Sequence, residues 1–144
     1  MVGNQRVGEV DRVLERLLGW ARRQSDVRAV ALVGSWARDE ASEDSDIDVV
    51  LLTTMPDRYI EAEEWLHAID GTRILKTERW GAATERRLVL GNGLEVEVDI
   101  STPEWASVAP VDPGTARVVL DGMRAIYDPD ALLKSLHAAC QRLG

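Results

Sequence analysis

The chain has 144 residues, a length that fits one domain built around one hydrophobic core. Its 25 acidic and 17 basic residues give a formal net charge of −8 at pH 7, which argues against broad, sequence-independent binding of nucleic acids. The single cysteine, Cys140, excludes an internal disulfide, and with only His67 and His137 beside it a Cys/His zinc site is not expected.

The apolar stretches of the chain are short. None of them approaches the ~20 residues that a membrane span needs. The first ten residues also lack the apolar core of a signal peptide. We therefore expect a cytoplasmic protein without a membrane partner.

The first half of the chain is predicted to alternate between helix and strand. Residues 8–24 have apolar positions at helical spacing. Residues 28–33 and 46–53 are short, Val- and Leu-rich runs typical of buried strands, and a polar loop separates them. A second helix is predicted over residues 57–69.

The second half is predicted to contain a hairpin. Residues 85–90 and 94–101 are strand-like and flank the turn Gly91-Asn92-Gly93. Further predicted elements are a strand over 73–77, an irregular segment over 103–112, a helix over 115–120, a strand over 124–127 and a helix over 131–143. The mixture predicts an α/β (α+β) domain: a mixed, twisted β-sheet with helices packed mainly on one side.

Asp46 and Asp48 are the first candidate functional residues. Side chains alternate along a strand, so both point to the same face, roughly 6.6 Å apart. Two carboxylates this close repel each other, and the simplest reason to keep them is a divalent cation with oxygen ligands.

Gly34 and Ser35 follow the first predicted strand and form the second candidate feature. Glycine allows a ligand to approach the backbone, and free N–H groups with the serine hydroxyl can bind phosphate oxygens. Arg38 can add charge-assisted hydrogen bonds to a phosphate.

A third carboxylate is available on the strand over residues 94–101. Leu94, Val96, Val98 and Ile100 share one face, and Glu95, Glu97 and Asp99 share the other. If this strand lies beside residues 46–53, one of these acids can complete a metal site or accept a proton from an attacking hydroxyl.

Each feature alone has a purely structural interpretation. Gly-Ser after a strand is usually a turn, Asp-x-Asp can be a solvated strand edge, and alternating acids can be the outer face of a hairpin. An EF-hand does not fit, because Val49 occupies the position that requires glycine. The combination of all three features indicates a site for a nucleoside triphosphate with Mg²⁺.

Gly34-Ser35, ten intervening residues and then Asp46-Ile47-Asp48 in an apolar strand resemble the signature of DNA polymerase β-like nucleotidyltransferases. The fuller pattern, with Arg38 and with Ser45 before Asp46, is similar to the antibiotic and the minimal nucleotidyltransferases. The resemblance is specific over residues 28–53 and extends to residues 85–101 and 124–130. It implies the nucleotidyltransferase fold.

The resemblance also implies roles for individual residues. The implied nucleotide-binding residues are Gly34, Ser35 and Arg38. The implied catalytic residues, which are also the ligands of two Mg²⁺ ions, are Asp46, Asp48 and Asp99. Glu97 is the alternative to Asp99 as the third acid.

The implied reaction is Mg²⁺-dependent transfer of a nucleoside monophosphate, AMP from ATP or another NTP, to a hydroxyl of an unnamed acceptor. Residues 1–144 would form one catalytic domain, because the chain after Asp128 is too short for an acceptor-binding domain. A homodimer or a helical partner protein would then wall the acceptor cleft. The alternatives are an antitoxin-like protein that modifies or masks a helical partner, and a non-catalytic nucleotide-binding module.

The terminal helix leaves one question open. Its apolar stripe of Leu132, Leu133, Leu136 and Ala139 can pack either on the protein's own sheet or on a partner. In the first case, Trp80, Trp105 and residues 103–113 become the expected contact surface.

Overall fold

The structure, a computed structural model, describes residues 2–143, which form six strands and five helices. The strands are β1 (Val27–Val33), β2 (Ile47–Thr53), β3 (Gly71–Trp80), β4 (Ala83–Leu90), β5 (Glu95–Ser101) and β6 (Met123–Tyr127). The helices are α1 (Asn4–Arg22), α2 (Gly34–Ala37), α3 (Asp57–Ile60), α4 (Pro113–Asp121) and α5 (Leu132–Leu143). Two 3₁₀ turns cover Glu64–Ile69 and Pro103–Ala106.

The six strands form one mixed sheet in the order β3-β4-β5-β2-β1-β6. β2 and β5 are parallel, and the other neighbouring pairs are antiparallel. The predicted mixed sheet of an α/β domain is therefore confirmed. The parallel pair matters most for function, because it joins the two segments that carry the predicted acids.

Helices lie on both faces of the sheet, whereas the sequence led us to expect them mainly on one. α1 and the turn Glu64–Ile69 cover the first face, and α4, α5 and the turn Pro103–Ala106 cover part of the second. The reason is that β1 and β2 are apolar on both sides, so the second face must also be shielded from water.

α1 packs on the first face through apolar residues spaced three and four apart. These residues are Val10, Val13, Leu14, Leu17, Trp20 and Ala21. The helix begins at Asn4 rather than at residue 8. Within residues 2–143, we find no helix that combines the length and the apolar character needed to cross a bilayer.

The helix predicted over residues 57–69 is divided into α3 and a 3₁₀ turn. The guanidinium of Arg86 donates to the carbonyl oxygens of Tyr59 and Ala62 at 2.8 and 2.7 Å. The indole of Trp65 donates to the same two oxygens at 3.1 Å. Because side chains from elsewhere satisfy these carbonyls, the chain can leave the helix between residues 60 and 64.

The predicted hairpin is present. Asn92 accepts a hydrogen bond from the backbone N–H of Leu94 at 3.0 Å, and Gly93 has a positive φ of 86°. β4 and β5 pair in register on either side of this turn. The predicted strand over residues 73–77 is also present and is longer, since β3 runs from Gly71 to Trp80.

The terminal helix α5 packs on the protein's own sheet. Leu133, Leu136 and Cys140 are almost completely buried against the second face. The apolar stripe therefore belongs to the core of this chain. Of the alternative contact residues, Trp80 has 59% of its surface exposed.

Candidate active site

Asp46 and Asp48 stand at the start of β2, one just before the strand and one within it. Ile47 and Val49 are completely buried in the core on the first face. Because side chains alternate, Asp48 points to the opposite face. Its pKa is raised to about 6, since burial disfavours the charged form and the neighbouring charge of Asp46 adds to this effect.

Gly34 brings the main chain against Asp48. Its φ of +73° lies in the left-handed region that favours glycine. A Cβ at this position would overlap Oδ2 of Asp48 and would lie 3.2 Å from its Cγ. Next to it, Val33 of β1 pairs with Asp48 of β2. The turn therefore needs glycine for conformation and for space.

Ser35 and Trp36 form the short helix α2 with their neighbours. The indole of Trp36 donates to the carbonyl oxygen of Ser45 at 3.3 Å. Ser45 also accepts a hydrogen bond from the backbone N–H of Ser42 at 2.8 Å. These bonds hold the polar loop before β2 against α2, next to Asp46.

Arg38 follows α2 and is engaged by two carboxylates. Its Nε lies 3.3 Å from Glu40, and its Nη1 lies 3.3 Å from Asp121 at the end of α4. Burial raises the pKa of Asp48, and the charge of Arg38 is among those that oppose this rise. Arg38, which the sequence predicts to bind phosphate, thus lies near Asp48 but forms its ion pairs with Glu40 and Asp121.

The acids of β5 lie beside β2, as the sequence predicted. The parallel register pairs Glu97 with Asp48 and Asp99 with Val50. On the other side of β5, Glu85 of β4 pairs with Asp99. One carboxylate oxygen from each of Glu85, Glu97 and Asp99 lies within 4.8 Å of the other two. We call this side of the sheet, with Asp48, Glu85, Arg87, Glu97 and Asp99, the acid face.

Sequence reasoning missed Glu85 and Arg87. Arg87 pairs with Glu97 in the ladder and contacts Asp46 at 2.5 Å and Glu97 at 3.0 Å. The predicted hairpin did contain a signal for these two residues. Strand pairing centred on Asn92 places residue 85 opposite residue 99 and residue 87 opposite residue 97.

Two carboxyl groups of β5, those of Glu97 and Asp99, have raised pKa values. Burial, followed by the charges of Asp99 and Asp48, raises the pKa of Glu97 to about 7. Burial, followed by the charges of Glu85 and Asp48, raises the pKa of Asp99 to about 6. A cation placed among these groups would relieve both effects.

The acid face fits a divalent cation. The carboxylates of Glu85, Glu97 and Asp99 converge within one site, and carboxylate oxygens are the ligands that Mg²⁺ prefers in proteins. The absence of a Cβ at Gly34 leaves room for Asp48 in this site. The geometry brings Glu85, Glu97 and Asp99 together, with Asp48 beside Glu97 in the strand register, whereas Asp46 stands at the edge, bound to Arg87.

A cleft of about 290 Å³ opens over the acid face. Its floor includes Glu85, Glu97 and Asp99, and Trp80 and Trp105 form part of its walls. Trp105 comes from the 3₁₀ turn after β5 and Trp80 from the end of β3. The cleft is large enough for part of a substrate next to the carboxylates.

The family model of the nucleotidyltransferase domain matches residues 14–125, well over half of the chain. The chain therefore belongs to the nucleotidyltransferase domain family. The predicted relationship to DNA polymerase β-like nucleotidyltransferases is confirmed.

A curated relative is the protein adenylyltransferase MntA of Thermococcus cleftensis (strain DSM 27260 / KACC 17922 / CL1). The two sequences are 35% identical over 69 residues, which cover 46% of this chain and 70% of the relative.

Solved structures show the same fold. The complex of Cid1 with the UTP analogue UMPNPP superposes with a TM-score of 0.55 at 18% identity, over 83% of this chain and 35% of that chain. The Cid1 poly(U) polymerase gives a TM-score of 0.53 at 20% identity, over 69% of this chain and 31% of that chain. This chain thus spans about a third of the length of these structures.

Proposed function

We propose that this protein transfers AMP from ATP to a hydroxyl group of an acceptor in a Mg²⁺-dependent reaction. The observation that carries the proposal is the packing of the Gly34 turn against Asp48, with Glu97 and Asp99 on the adjacent strand. A turn of this kind is suited to phosphate, and the carboxylates are suited to a cation. The relative named as a protein adenylyltransferase supports adenylyl as the transferred group.

The residues of the chain have distinct roles in this proposal. Gly34 and Ser35 hold oxygens of the triphosphate, and Arg38 contacts phosphate. Mg²⁺, held by Asp46, Asp48 and Asp99, supplies positive charge that stabilises the attacking and leaving oxygens. The acceptor hydroxyl attacks the α-phosphorus in line with the bond to pyrophosphate, which leaves.

The proton of the acceptor hydroxyl must go to a base on the acid face. Asp99 is our first choice, because it borders the cleft and Glu85 lies opposite it. Glu97 is the alternative, since it also borders the cleft and lies beside Asp48 in the strand register.

We propose a protein as the acceptor. The name of the relative supports this class, and the exposed Trp80 at the rim of the cleft offers a surface that a second molecule can cover. This second molecule is a homodimer mate or a helical partner, as in the antitoxin-like alternative. A small-molecule acceptor and a non-catalytic module are the competing hypotheses.

The test is transfer from ATP labelled in the α-phosphate, with Mg²⁺ and either candidate proteins or small hydroxyl compounds. We expect label in an acceptor together with release of pyrophosphate. Asp48→Asn should abolish both signals. The matched control is Asp11→Asn, which removes the same charge from an exposed position on α1. Nucleotide binding without transfer to any acceptor would favour the non-catalytic module.

A further inference from the structure

Arg87 occupies a central position on the acid face. The ladders place it in one row with Glu97 of β5 and Asp48 of β2, so its side chain extends over two strands toward the start of β2. There its Nη1 lies 2.5 Å from Oδ2 of Asp46. Its Nη2 lies 3.0 Å from Glu97, and Nη1 lies 3.4 Å from Glu95.

The position of Arg87 is significant because of the negative charges around it. Six carboxylates lie on or beside the acid face: Asp46, Asp48, Glu85, Glu95, Glu97 and Asp99. Among the residues that the structure describes, Arg87 forms ion pairs with three of them. Lys76 reaches only Glu85, at 3.8 Å, and Arg38 is paired with Glu40 and Asp121. Arg87 is therefore the main internal counter-ion of the cluster.

The guanidinium and a metal ion compete for the same carboxylate. Mg²⁺ binds carboxylate oxygens at about 2.0–2.1 Å. A guanidinium already at 2.5 Å from Asp46 would then face a doubly charged ion across one carboxylate group, and the two cations would repel each other. Glu95, whose side chain is 41% exposed, offers a partner that the displaced guanidinium can keep.

On the basis of the proposed function, we propose that Arg87 is a positioning residue. In the metal-free protein it takes the place of the cation on Asp46, and it is displaced when Mg²⁺ binds. The arginine holds Asp46 at the start of β2 in the absence of metal. It also weakens metal binding, because each binding event must break its ion pair with Asp46.

The test measures binding of Mn²⁺, as a paramagnetic probe, by electron paramagnetic resonance without nucleotide. Arg87→Gln should bind Mn²⁺ about 10-fold more tightly than the wild type. Arg87→Lys keeps the charge and should stay near the wild type. Arg73→Gln, which removes an equal charge from an exposed position on β3, is the matched control and should leave affinity unchanged.

Binding by Arg87→Gln that equals or is weaker than that of the wild type would overturn the proposal. Equal tightening by Lys and Gln would overturn it too, because charge would then not be what competes. Asp48→Asn distinguishes failure of the proposed metal site from failure of the role of Arg87 alone. If it leaves Mn²⁺ binding unchanged, the proposed metal site itself fails; if it weakens binding while Arg87→Gln does not tighten it, only the role of Arg87 fails.

The wild-type protein provides a second measurement that does not require Arg87→Gln to fold. NMR signals of the guanidinium, assigned with Arg87→Lys, should report restricted rotation in metal-free protein and faster rotation in saturating Mg²⁺. Saturation is established from the carboxyl ¹³C shifts of the acidic residues. Rotation that stays restricted at saturation contradicts the displacement of Arg87.

Discussion

The main chain of Gly34 lies so close to the carboxylate of Asp48 that a Cβ on residue 34 would overlap Oδ2. This relationship couples the turn that we propose binds phosphate to the strand that we propose binds the metal. A change in either residue should therefore disturb both halves of the site.

Gly34→Ala should reduce nucleotide transfer at least about 100-fold, because the new methyl group must displace the Asp48 carboxylate. Stability should fall by about 1–2 kcal/mol from the positive φ alone. Gly81→Ala is the matched control, since Gly81 also has a positive φ, but a Cβ there would meet no other atom within 4 Å. Steady-state kinetics and thermal unfolding of both variants give the comparison, and full activity in Gly34→Ala would speak against the coupling.

Asp48→Asn and Asp99→Asn should each lower Mg²⁺-dependent transfer at least about 100-fold while the fold is kept. The metal-free protein should become more stable by on the order of 1 kcal/mol at pH 7, because one member of a repelling cluster is neutralised. Asp11→Asn should change neither quantity. A variant that unfolds, or one that keeps full activity, would exclude that residue from the metal site.

Stability of the metal-free protein should depend on pH through Asp48, Glu97 and Asp99. Their pKa values are raised to about 6, 7 and 6 from unfolded values near 4. Because the folded state binds protons more tightly, the contribution of these groups is complete below about pH 4 and is lost as pH rises through 6 to 7. We expect Tm in EDTA to fall by about 5 °C between pH 5 and pH 8.

Mg²⁺ should reverse this loss, and its stabilising effect should grow over the same pH window. Glu97→Gln should flatten the dependence of Tm on pH, since it removes the group with the highest of the three values. A Tm that rises with pH in EDTA would contradict the assignment.

Asp26 should be a structural carboxylate with no role in transfer. It is 5% exposed and accepts hydrogen bonds from Thr53 at 2.7 Å and from Tyr59 and Arg58 at 2.6 Å. Burial alone would raise its pKa, but the bonds from Tyr59 and Thr53 outweigh burial and lower the pKa. Its contribution to stability is present above about pH 4 and is lost as pH falls through its folded pKa.

Asp26→Asn should therefore destabilise the protein by about 3 kcal/mol, and Tyr59→Phe by about 1.5 kcal/mol. Tyr127→Phe, at a half-buried tyrosine of β6, serves as the control. Denaturant unfolding measures these changes. Transfer per folded molecule should stay at the wild-type value, and a selective loss of transfer would assign Asp26 to the site.

The active form should be a homodimer or a complex with a second protein. A catalytic face open to water favours hydrolysis over transfer, so a partner should shield the acceptor side of the cleft. Sedimentation at micromolar concentration tests the homodimer, and Trp80→Ser should weaken association. Met55→Ser, at a residue 53% exposed elsewhere, is the control. A strict monomer that transfers AMP to a small acceptor would refute this prediction.

The sequence carried the local features of the fold. The turn at Asn92 and the alternation from Leu94 to Ile100 fix a hairpin and its faces, and each depends only on neighbouring residues. The position of Asp48 on β2 followed from the same alternation. These predictions needed no knowledge of the rest of the chain.

Long-range packing explains what the sequence did not reveal. The helix predicted over residues 57–69 breaks because Arg86, on a later strand, binds the carbonyls of Tyr59 and Ala62. The helices α4 and α5 shield the second face from water. They pack in one cluster with Ala29 and Ala31, which are far away in the chain. The ion pair of Arg87 with Asp46 likewise requires the pairing of β2 with β5.

In the sequence, the exposed β3–β4 turn at Gly81 lies between the acids near the start of β2 and the acids of β5. A cut there leaves Asp46 and Asp48 on one fragment and places Glu97 and Asp99 on the other. Each fragment alone would carry an incomplete set of carboxylates, and the parallel contact of β2 with β5 brings the two sets together. Two separately produced fragments would thus form a split enzyme, in which recovered nucleotide transfer reports that the centre of the sheet has assembled.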